Sequence, residues 1–371
     1  MNKKRIALGV VFLSAFFMLL LIALRKDTAY AGIKGSGTES DPYQINTGDL
    51  EIDADKGGVY YVTGTTDEHH IKIKGKDKDK VKEIQLHLSG VSIKLKKDDE
   101  EEAAITLEGY SNVTIYVDSN TTNTLVGGNE HGAGRNNGHP GIQVDENGKL
   151  NLDVWGRLEA TGGDGGSDRG AAAIGSRDND GCCGEINIHV HDAGYLKATG
   201  KYGGAGIGGG NNSSTKNINI TLDGSAKLEA YGSEGGAGIG GGDDGSTPNI
   251  NIKGNSDRTI LIANAENSRG AAGIGGGSDG EVSSITIDGI GTLIGKGGYK
   301  AAGIGAGDHD STGPGGNFGD LTIKDCGVVE ATGGEAGAGI GGSEDADVGN
   351  ITIENTHSKP GGNGAVYRKS K

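Results

Sequence analysis

The sequence is poor in the residues that usually build a globular core or a disulfide framework. Aromatic residues make up 4% of its 371 residues, and there are only five prolines. The three cysteines, Cys182, Cys183 and Cys326, are odd in number and two are adjacent, which does not fit a disulfide framework. The core therefore has to consist of Ile, Leu, Val and Ala, branched and small side chains that suit stacked strands.

Two further absences exclude whole classes of protein. The 74 glycines follow no strict Gly-X-Y period, which excludes collagen, and regular apolar strands between them argue against disorder. Lys and Arg are outnumbered by Asp and Glu, 35 to 50, so the net charge is −15. This acidic balance excludes nucleic acid as a partner, because a phosphate backbone requires a basic surface.

The N-terminus predicts export. Three basic residues, Lys3–Arg5, precede an apolar run of 19 residues, Ile6–Leu24, and Ala29–Ala31 offers a small-residue cleavage site. We expect residues 1–31 to be a signal peptide or, since the run is almost long enough to span a bilayer, an N-terminal membrane anchor. The body is then secreted or held on the extracellular surface by Gram-positive-type export, and a membrane is a partner only if the segment stays uncleaved.

A glycine-rich heptapeptide, GAGIGGG, organises the rest of the chain. It occurs unaltered at Gly204–Gly210 and Gly236–Gly242, and relaxed copies surround four other isoleucines. The six central isoleucines are spaced by 33, 32, 35, 30 and 36 residues: Ile174, Ile207, Ile239, Ile274, Ile304 and Ile340. A recurring interval of this size indicates one supersecondary unit stacked many times.

A tripeptide of apolar, polar and apolar residues recurs with the same interval and predicts one strand in each repeat. Its nine central residues are Gln85, Thr114, Asn151, Asn187, Asn219, Asn251, Thr286, Thr322 and Thr352. Because alternate side chains of a strand point to opposite faces, we expect these residues to form a polar ladder on the outside.

Three strands in each repeat predict the fold class. A second strand follows each tripeptide, as at Gly156–Ala160 and Tyr195–Ala198, and the glycine-rich heptapeptide supplies the third. We predict an all-β chain forming a single-stranded right-handed parallel β-helix, a solenoid with about nine rungs and three strands per turn. The expected divisions are an N-terminal cap at residues 32–58, the parallel β-helix at 59–353 and a C-terminal cap or tail at 354–371.

Oxygen-rich turns follow the glycine-rich strands and predict calcium, a cation that prefers oxygen ligands. The candidate ligands are Asp178, Asp180, Asp243, Asp244, Asp279, Asp308, Asp310, Asp345 and Asp347. The alternative is that these residues only form turns, in which Asp and Asn are common.

Other side chains offer two further types of site. His189 and His191 lie two residues apart and share one face of a strand, where a transition metal can be held with Asp192, or they are ordinary surface histidines. Aromatic rings are the usual platforms for sugars. The candidate ligand-binding residues are Trp155, Tyr202, Tyr231 and Tyr299.

No catalytic motif stands out. Glycoside hydrolysis needs two carboxylates at a set separation, whereas the acids here recur with the repeat and no pair differs from its copies. The main irregular insertion, Gly127–Pro140, carries Glu130, His131, Arg135 and His139, but it contains no recognisable mechanism. We therefore predict that the protein is not an enzyme.

The N-terminal half resembles a known family. The segments GVYYVTGTTDEHHIKIKG, EIQLHLSGVSIKL, AAITLEGYSNVTIYVDSNTTNTLVGG and GIQVDENGKLNLDVWGRLEATGG follow one another between Val59 and Gly163. In this order they resemble the bacterial cell-surface carbohydrate-binding β-helix family, whose members bind pectic acid and cellulose, and the AGIGGG repeats continue the likeness more loosely. The resemblance implies a right-handed β-helix, calcium sites and polysaccharide binding without catalysis.

The sequence thus predicts a secreted or cell-surface, non-catalytic and calcium-assisted protein that binds a pectic, cellulosic or other cell-wall polysaccharide. Two alternatives stay open at this point. One is a structural or adhesive surface stalk in which the rungs bind no small ligand. The other is a polysaccharide lyase or glycoside hydrolase that uses the irregular insertion.

Overall fold

The computed structural model describes residues 33–96, 102–129, 137–165, 169–308, 316–343 and 346–358. The predicted signal segment, 1–31, and most of the predicted C-terminal tail lie outside the described residues. Within the described part, the one helical element is a 3₁₀ turn at Ile45–Thr47, and no helix there is long and apolar enough to cross a membrane.

The chain winds into a right-handed parallel β-helix, which confirms the predicted fold class. The nine tripeptides pair in parallel and in register, so they enclose eight turns. Their central residues form one outward column, from Gln85 to Thr352, as predicted from the alternation. We call this column the polar ladder.

Two of the three faces are formed by regular strands that belong to one sheet, because in some turns a single strand runs through the corner between them. The first-face strands are Ser111–Val117, Gly148–Val154, Glu185–Val190, Ile218–Leu222, Phe318–Lys324 and Ile351–Glu354. The second-face strands are Thr122–Val126, Arg157–Thr161, Tyr195–Thr199, Lys227–Tyr231, Val328–Thr332 and His357–Ser358. The strands that run through both faces are Gly58–Thr66, Glu83–Lys94, Thr247–Asn264 and Val282–Lys296.

The third face is a separate sheet of ten short parallel strands. They are Leu50–Asp53, Ile71–Gly75, Ile105–Gly109, Ile142–Val144, Ile174–Gly175, Ile207–Gly208, Ile239–Gly240, Ile274–Gly275, Ile304–Gly305 and Ile340–Gly341. Their first residues are in register along the whole rod. The third face therefore begins at Leu50, within the stretch expected to form the N-terminal cap.

Short elements complete the described chain at its corners and at its N-terminal end. Gly181–Cys183 pairs in parallel with Ser213–Thr215 at the corner that follows the third face. Tyr43–Gln44 pairs with the first long strand, and Ile45 is fully buried behind it. These residues cover the first turn of the rod.

The core is a continuous apolar column along the rod axis. Ile84, Ile186 and Ile207, from the first and third faces, are 0% exposed, and so is Leu196 from the second. Burial of a side chain of this size contributes about 1.5–3 kcal/mol to folding. The predicted Ile, Leu, Val and Ala core is confirmed.

The cysteines do not form disulfides. Cys182, Cys183 and Cys326 are free thiols. Burial raises the pKa of Cys183 to about 12, so this thiol stays protonated at neutral pH and is a poor nucleophile.

Glycine is required on the third face because successive turns approach each other closely there. Gly240 has φ of 138°, and a Cβ atom at this position would overlap the carbonyl oxygen of Gly275 in the next turn. The same left-handed backbone recurs at five equivalent glycines, Gly175, Gly208, Gly275, Gly305 and Gly341. The heptapeptide repeat is thus a steric requirement of stacking.

Substitution of one such glycine tests this explanation. We expect Gly240→Ala to lower the free energy of unfolding by about 3 kcal/mol or more, because strain and overlap with backbone add together. Gly181→Ala is the matched control: Gly181 also has positive φ, 78°, but a Cβ atom there would have nothing within 4 Å. Its cost should be about 1 kcal/mol. Urea denaturation followed by circular dichroism measures both, and equal losses would contradict a role for the close approach.

Candidate functional site

A second outward column borders the polar ladder on the first face. It consists of five residues that are in register in successive turns: Tyr61, His87, Tyr116, Asp153 and His189. The last four each follow a ladder residue by two positions, and Tyr61 follows Val59, which is paired with the first ladder residue, Gln85. The spacing of two residues places them on the same outward face of their strands. This column collects aromatic and titratable side chains that the repeat itself does not require.

The first three members of the column form a stack. The ring of His87 lies 4.3 Å from that of Tyr61 and 4.7 Å from that of Tyr116, with interplanar angles of 16° and 17°. Nδ1 of His87 lies 3.1 Å from Oδ1 of Asp118. This contact orients the imidazole ring within the stack.

Further along the rod, two histidines and two carboxylates converge. We call Asp153, His189, His191 and Asp223 the histidine cluster. Oδ1 of Asp153 lies 2.8 Å from Nε2 of His191 and 3.7 Å from Nδ1 of His189. Nε2 of His189 lies 2.6 Å from Oδ2 of Asp223. The four residues come from three consecutive turns, so the register of the rod brings them together.

The sequence-based prediction placed Asp192 beside these histidines, but the structure assigns it another contact. Oδ1 of Asp192 accepts hydrogen bonds from the backbone and side chain of Ser225, at 2.7 and 2.9 Å. Residue 192 lies in the turn after the strand, whereas Asp153 lies directly beside His189 in the preceding turn. The carboxylate that meets both histidines is therefore Asp153.

Trp155 stands next to the histidine cluster at the bend between the first and second faces. Its ring is stacked on that of His191, with centroids 3.6 Å apart and planes inclined by 9°. Half of Trp155 remains exposed, 50%. The residue thus combines a fixed ring orientation with access to solvent, which a stacking platform requires.

Four neighbouring residues of the polar ladder, Asn151, Asn187, Asn219 and Asn251, are hydrogen-bonded to one another. Nδ2 of Asn187 donates to Oδ1 of Asn151 at 3.1 Å, and Asn219 and Asn251 repeat the contact at 2.8 and 3.0 Å. Asn187 and Asn219 are therefore held by an amide in the turn before and an amide in the turn after. The ladder therefore presents amides at fixed positions along the rod.

Tyr231, a predicted ligand-binding residue, lies on the second face in a network of its own. Its hydroxyl and that of Tyr195 donate to Oε2 of Glu229 at 3.1 and 3.0 Å, and Nζ of Lys197 lies 5.4 Å from the Tyr231 ring centre. Burial acts to raise the pKa of Glu229, but hydrogen bonds from Lys227 and the tyrosines outweigh it and hold that pKa below its usual value. These contacts leave Tyr231 less available for stacking than Trp155.

Tyr202 and Tyr299 lie in the turns before the third face. Tyr202 is half-buried and has φ of 36°, whereas Tyr299 is 53% exposed. Tyr299 borders a cleft of about 680 Å³ that is also lined by Glu266, Lys296 and Glu335. The four predicted aromatic residues are therefore distributed over three parts of the surface and do not form one site.

Five of the nine predicted calcium ligands lie in two columns at the corner after the third face. The first contains side chains directed into the corner: Asp178, Asn211, Asp243, Ser278 and Asp308. Asp178 is 2% exposed, and its two carboxylate oxygens accept hydrogen bonds from Asn211 and Asn179 at 2.9 and 2.6 Å. Carboxylates in this column alternate with an amide and a hydroxyl.

The second column has a backbone role. Asn179, Asn212, Asp244 and Asp279 adopt left-handed φ values of 53°, 50°, 54° and 58°. Asn and Asp tolerate this conformation better than other residues with a side chain. The requirement of the turn thus accounts for the presence of Asp244 and Asp279.

The remaining predicted ligands are scattered. Oδ1 of Asp180 lies 3.2 Å from Nε of Arg177, and Asp347 is exposed near the C-terminal end of the rod. Asp310 and Asp345 lie outside the described residues. Among the residues that the structure describes, only Asp153, His189 and His191 form a group of three whose ligand atoms all lie within 4.8 Å of one another.

The irregular insertion contributes one described histidine. Glu130, His131 and Arg135 lie outside the described residues. His139 is 3% exposed, and its pKa is lowered to about 4, chiefly by burial and secondly by the charge of Arg177. The burial and neutral charge of this imidazole are typical of a residue that packs in the interior.

Comparison with known proteins supports the fold. Residues 188–211 and 321–344 match a family model described as a β-helix repeat. Each matched stretch begins in a first-face strand and includes the second-face and third-face strands that follow, so it covers most of one observed turn. No curated protein and no solved structure gave a significant match.

The buried imidazole predicts acid sensitivity. The folded-state pKa of His139, about 4, lies below the reference value of 6.5. Between these pH values the unfolded chain binds a proton that the folded chain does not. The free energy of unfolding should therefore fall by about 3 kcal/mol as the pH decreases from 6.5 to 4.

Denaturation at pH 7.5 and pH 4 measures the effect. His139→Gln should remove this part of the loss, whereas His69→Gln, which changes a half-buried histidine, should retain it. Equal acid sensitivity in the wild type and His139→Gln would contradict the assignment.

Proposed function

We propose that the outward surface of the first face binds polysaccharide without changing it chemically. The observation that carries this proposal is the in-register polar ladder together with the half-exposed Trp155 at the end of the same face. The β-helix repeat fold is consistent with a polysaccharide-related or surface protein. The predicted export segment would bring the protein to cell-wall polymers.

The amides of the ladder have hydrogen-bonding capacity left for a ligand. An Asn side chain offers two N–H donors and two acceptor lone pairs. Asn219 uses one donor and one acceptor in its contacts with Asn187 and Asn251. Nδ2 of Asn187 donates to Asn151 and also to Oε1 of Glu185 at 3.0 Å, so Asn187 keeps an acceptor lone pair, whereas Asn219 keeps both a donor and an acceptor. The remaining donor and acceptor match sugar hydroxyls, which both give and accept hydrogen bonds.

Trp155 supplies the apolar part of the site. A large ring with one exposed half stacks on the apolar face of a pyranose, and stacking contacts of aromatic rings contribute about 0.5–1.5 kcal/mol. His191 supports the ring, so little side-chain entropy is lost on binding. Trp155 follows the ladder residue Asn151 by four positions, and Asp153 lies between them.

The shape and charge of the surface indicate the class of ligand. Nine ladder residues repeat along the rod at about the 4.8 Å spacing of neighbouring strands, so a linear polymer can contact many turns at once. The net charge of −15 repels anionic polymers. We therefore propose a neutral, cellulose-like glycan as the first ligand to test and pectic polymers only with a bridging cation.

Affinity electrophoresis in gels that contain single polysaccharides tests the proposal. Trp155→Ala should weaken retention about five- to tenfold, the equivalent of one aromatic stacking contact. Tyr299→Ala is the matched control, since it removes an equally exposed ring from a different part of the surface. We expect it to bind as the wild type does.

Three results would contradict the proposal. Wild-type protein that is not retained by any polysaccharide would favour the structural stalk. Loss of retention in Tyr299→Ala alone would move the site to the cleft beside Glu335. Formation of unsaturated or reducing ends during the assay would reveal a lyase or hydrolase.

Calcium assistance stays a prediction, tested by thermal unfolding in calcium and in chelator. A cation bound only by the folded chain raises the midpoint, by the equivalent of about 2.7 kcal/mol at a hundredfold excess over the dissociation constant. Asp178→Asn should abolish the rise if the corner column holds the ion. An unchanged midpoint in wild-type protein would remove calcium from the proposed function.

A further inference from the structure

We propose that Asp153, His189 and His191 form a binding site for a divalent transition metal ion of the zinc, copper and nickel group. The inference is independent of polysaccharide binding. The two histidines are irregular members of their columns, since Thr221 follows His189 in the next turn and Asp223 follows His191. Nothing in the repeat requires imidazole at these positions.

The distances agree with metal coordination. Tetrahedral zinc with bonds of 2.0–2.2 Å to nitrogen and oxygen places its ligand atoms about 3.3 Å apart. The distances from Oδ1 of Asp153 to Nε2 of His191 and to Nδ1 of His189, 2.8 and 3.7 Å, bracket that value. One ligand atom from each of the three residues lies within 4.8 Å of the other two, so side-chain adjustment brings all three ligand atoms onto one ion.

Asp223 supplies the outer contact that metal-bound histidines usually have. Its carboxylate can only accept a hydrogen bond, so Nε2 of His189 donates the proton across the 2.6 Å contact. The neutral ring then has its lone pair on Nδ1, the nitrogen that faces Asp153. This carboxylate–histidine pair selects the tautomer that a metal needs.

The electrostatics of the cluster also favour a cation. With Nε2 of His189 protonated, the lone pair of Nδ1 and the carboxylate of Asp153 face each other, and a positive species between them removes the repulsion. Nε2 of His191 donates to the same carboxylate at 2.8 Å, so an ion that binds all three atoms replaces this proton, and the neutral His191 ring then carries its proton on Nδ1.

The ligand set determines which ions fit. Imidazole suits zinc, copper and nickel, whereas calcium and magnesium prefer oxygen ligands. Three protein ligands leave a fourth coordination position, and the side chain of His189 is 36% exposed, so this position opens to solvent. The site differs in this respect from a closed structural zinc site.

Trp155 provides a local probe, because it is the only tryptophan of the chain and stacks on His191. We expect copper(II) to quench its fluorescence in a saturable way with one ion per chain, and excess zinc(II) to restore it by competition. Calcium in excess should not compete. Titration calorimetry of the untagged full chain with zinc(II) gives the stoichiometry.

Four variants locate the ion. His189→Ala and the nearly isosteric Asp153→Asn should weaken zinc binding by a factor of 100 or more, and Asp223→Asn by about 10–100 through the lost outer contact. His69→Ala is the matched control, since His69 and His70 also flank one carboxylate, Asp49, without forming a converging group of three. It should bind zinc as the wild type does.

The results separate the alternatives clearly. Zinc binding that is lost in Asp153→Asn and retained in His69→Ala, with unchanged circular dichroism in both, supports the site. Absence of binding at micromolar zinc and copper would overturn the proposal and leave the cluster as a hydrogen-bonded network. Equal affinity in wild type and Asp153→Asn would overturn it as well.

Discussion

Close stacking of the backbone is the constraint on which the rest of this structure depends. Each third-face strand lies so near the next that a Cβ atom on Gly240 would overlap the carbonyl oxygen of Gly275. Only glycine permits this distance together with positive φ. This short distance between backbones allows two-residue strands to pair in register over successive turns. The first-face strands of the same turns are in register as well.

In-register stacking turns the surface into columns, and each column carries a different physical role. Asn residues form a hydrogen-bonded ladder, left-handed Asn and Asp residues complete the turns, and the margin of the first face gathers aromatic rings and histidines. The contacts that constrain a residue in a column come from the turns before and after it as well as from its neighbours in sequence. The candidate sites therefore arise where a column departs from its own pattern.

The repeat interval and the two-residue alternation were sufficient to predict the fold class, the three faces and the outward ladder from Gln85 to Thr352. They could do so because backbone stacking imposes one pattern on every turn. The observed strands differ slightly in range from the predicted ones. The strand Thr247–Asn264, for example, runs through a corner at which the sequence pattern predicts a break.

The sequence pattern alone did not predict which residues meet in the histidine cluster. Asp153 and His189 are 36 residues apart, and only the exact register of Gly148–Val154 with Glu185–Val190 shows that they are neighbours. The sequence-based choice of Asp192 followed proximity along the chain instead. Alignment of all residues two positions beyond the ladder would have revealed His87, Tyr116, Asp153 and His189 as one column, and this signal was present in the sequence.

The span of the histidine cluster has a consequence for how such a chain can change over time. A rod of equivalent turns can gain or lose a repeat by recombination between similar segments and still stack. Asp153, His189 and Asp223, however, are contributed by three consecutive turns. Insertion of a turn within this part would separate the partners by one full layer and deletion of a turn would remove one of them, so the cluster persists only where these three turns stay consecutive.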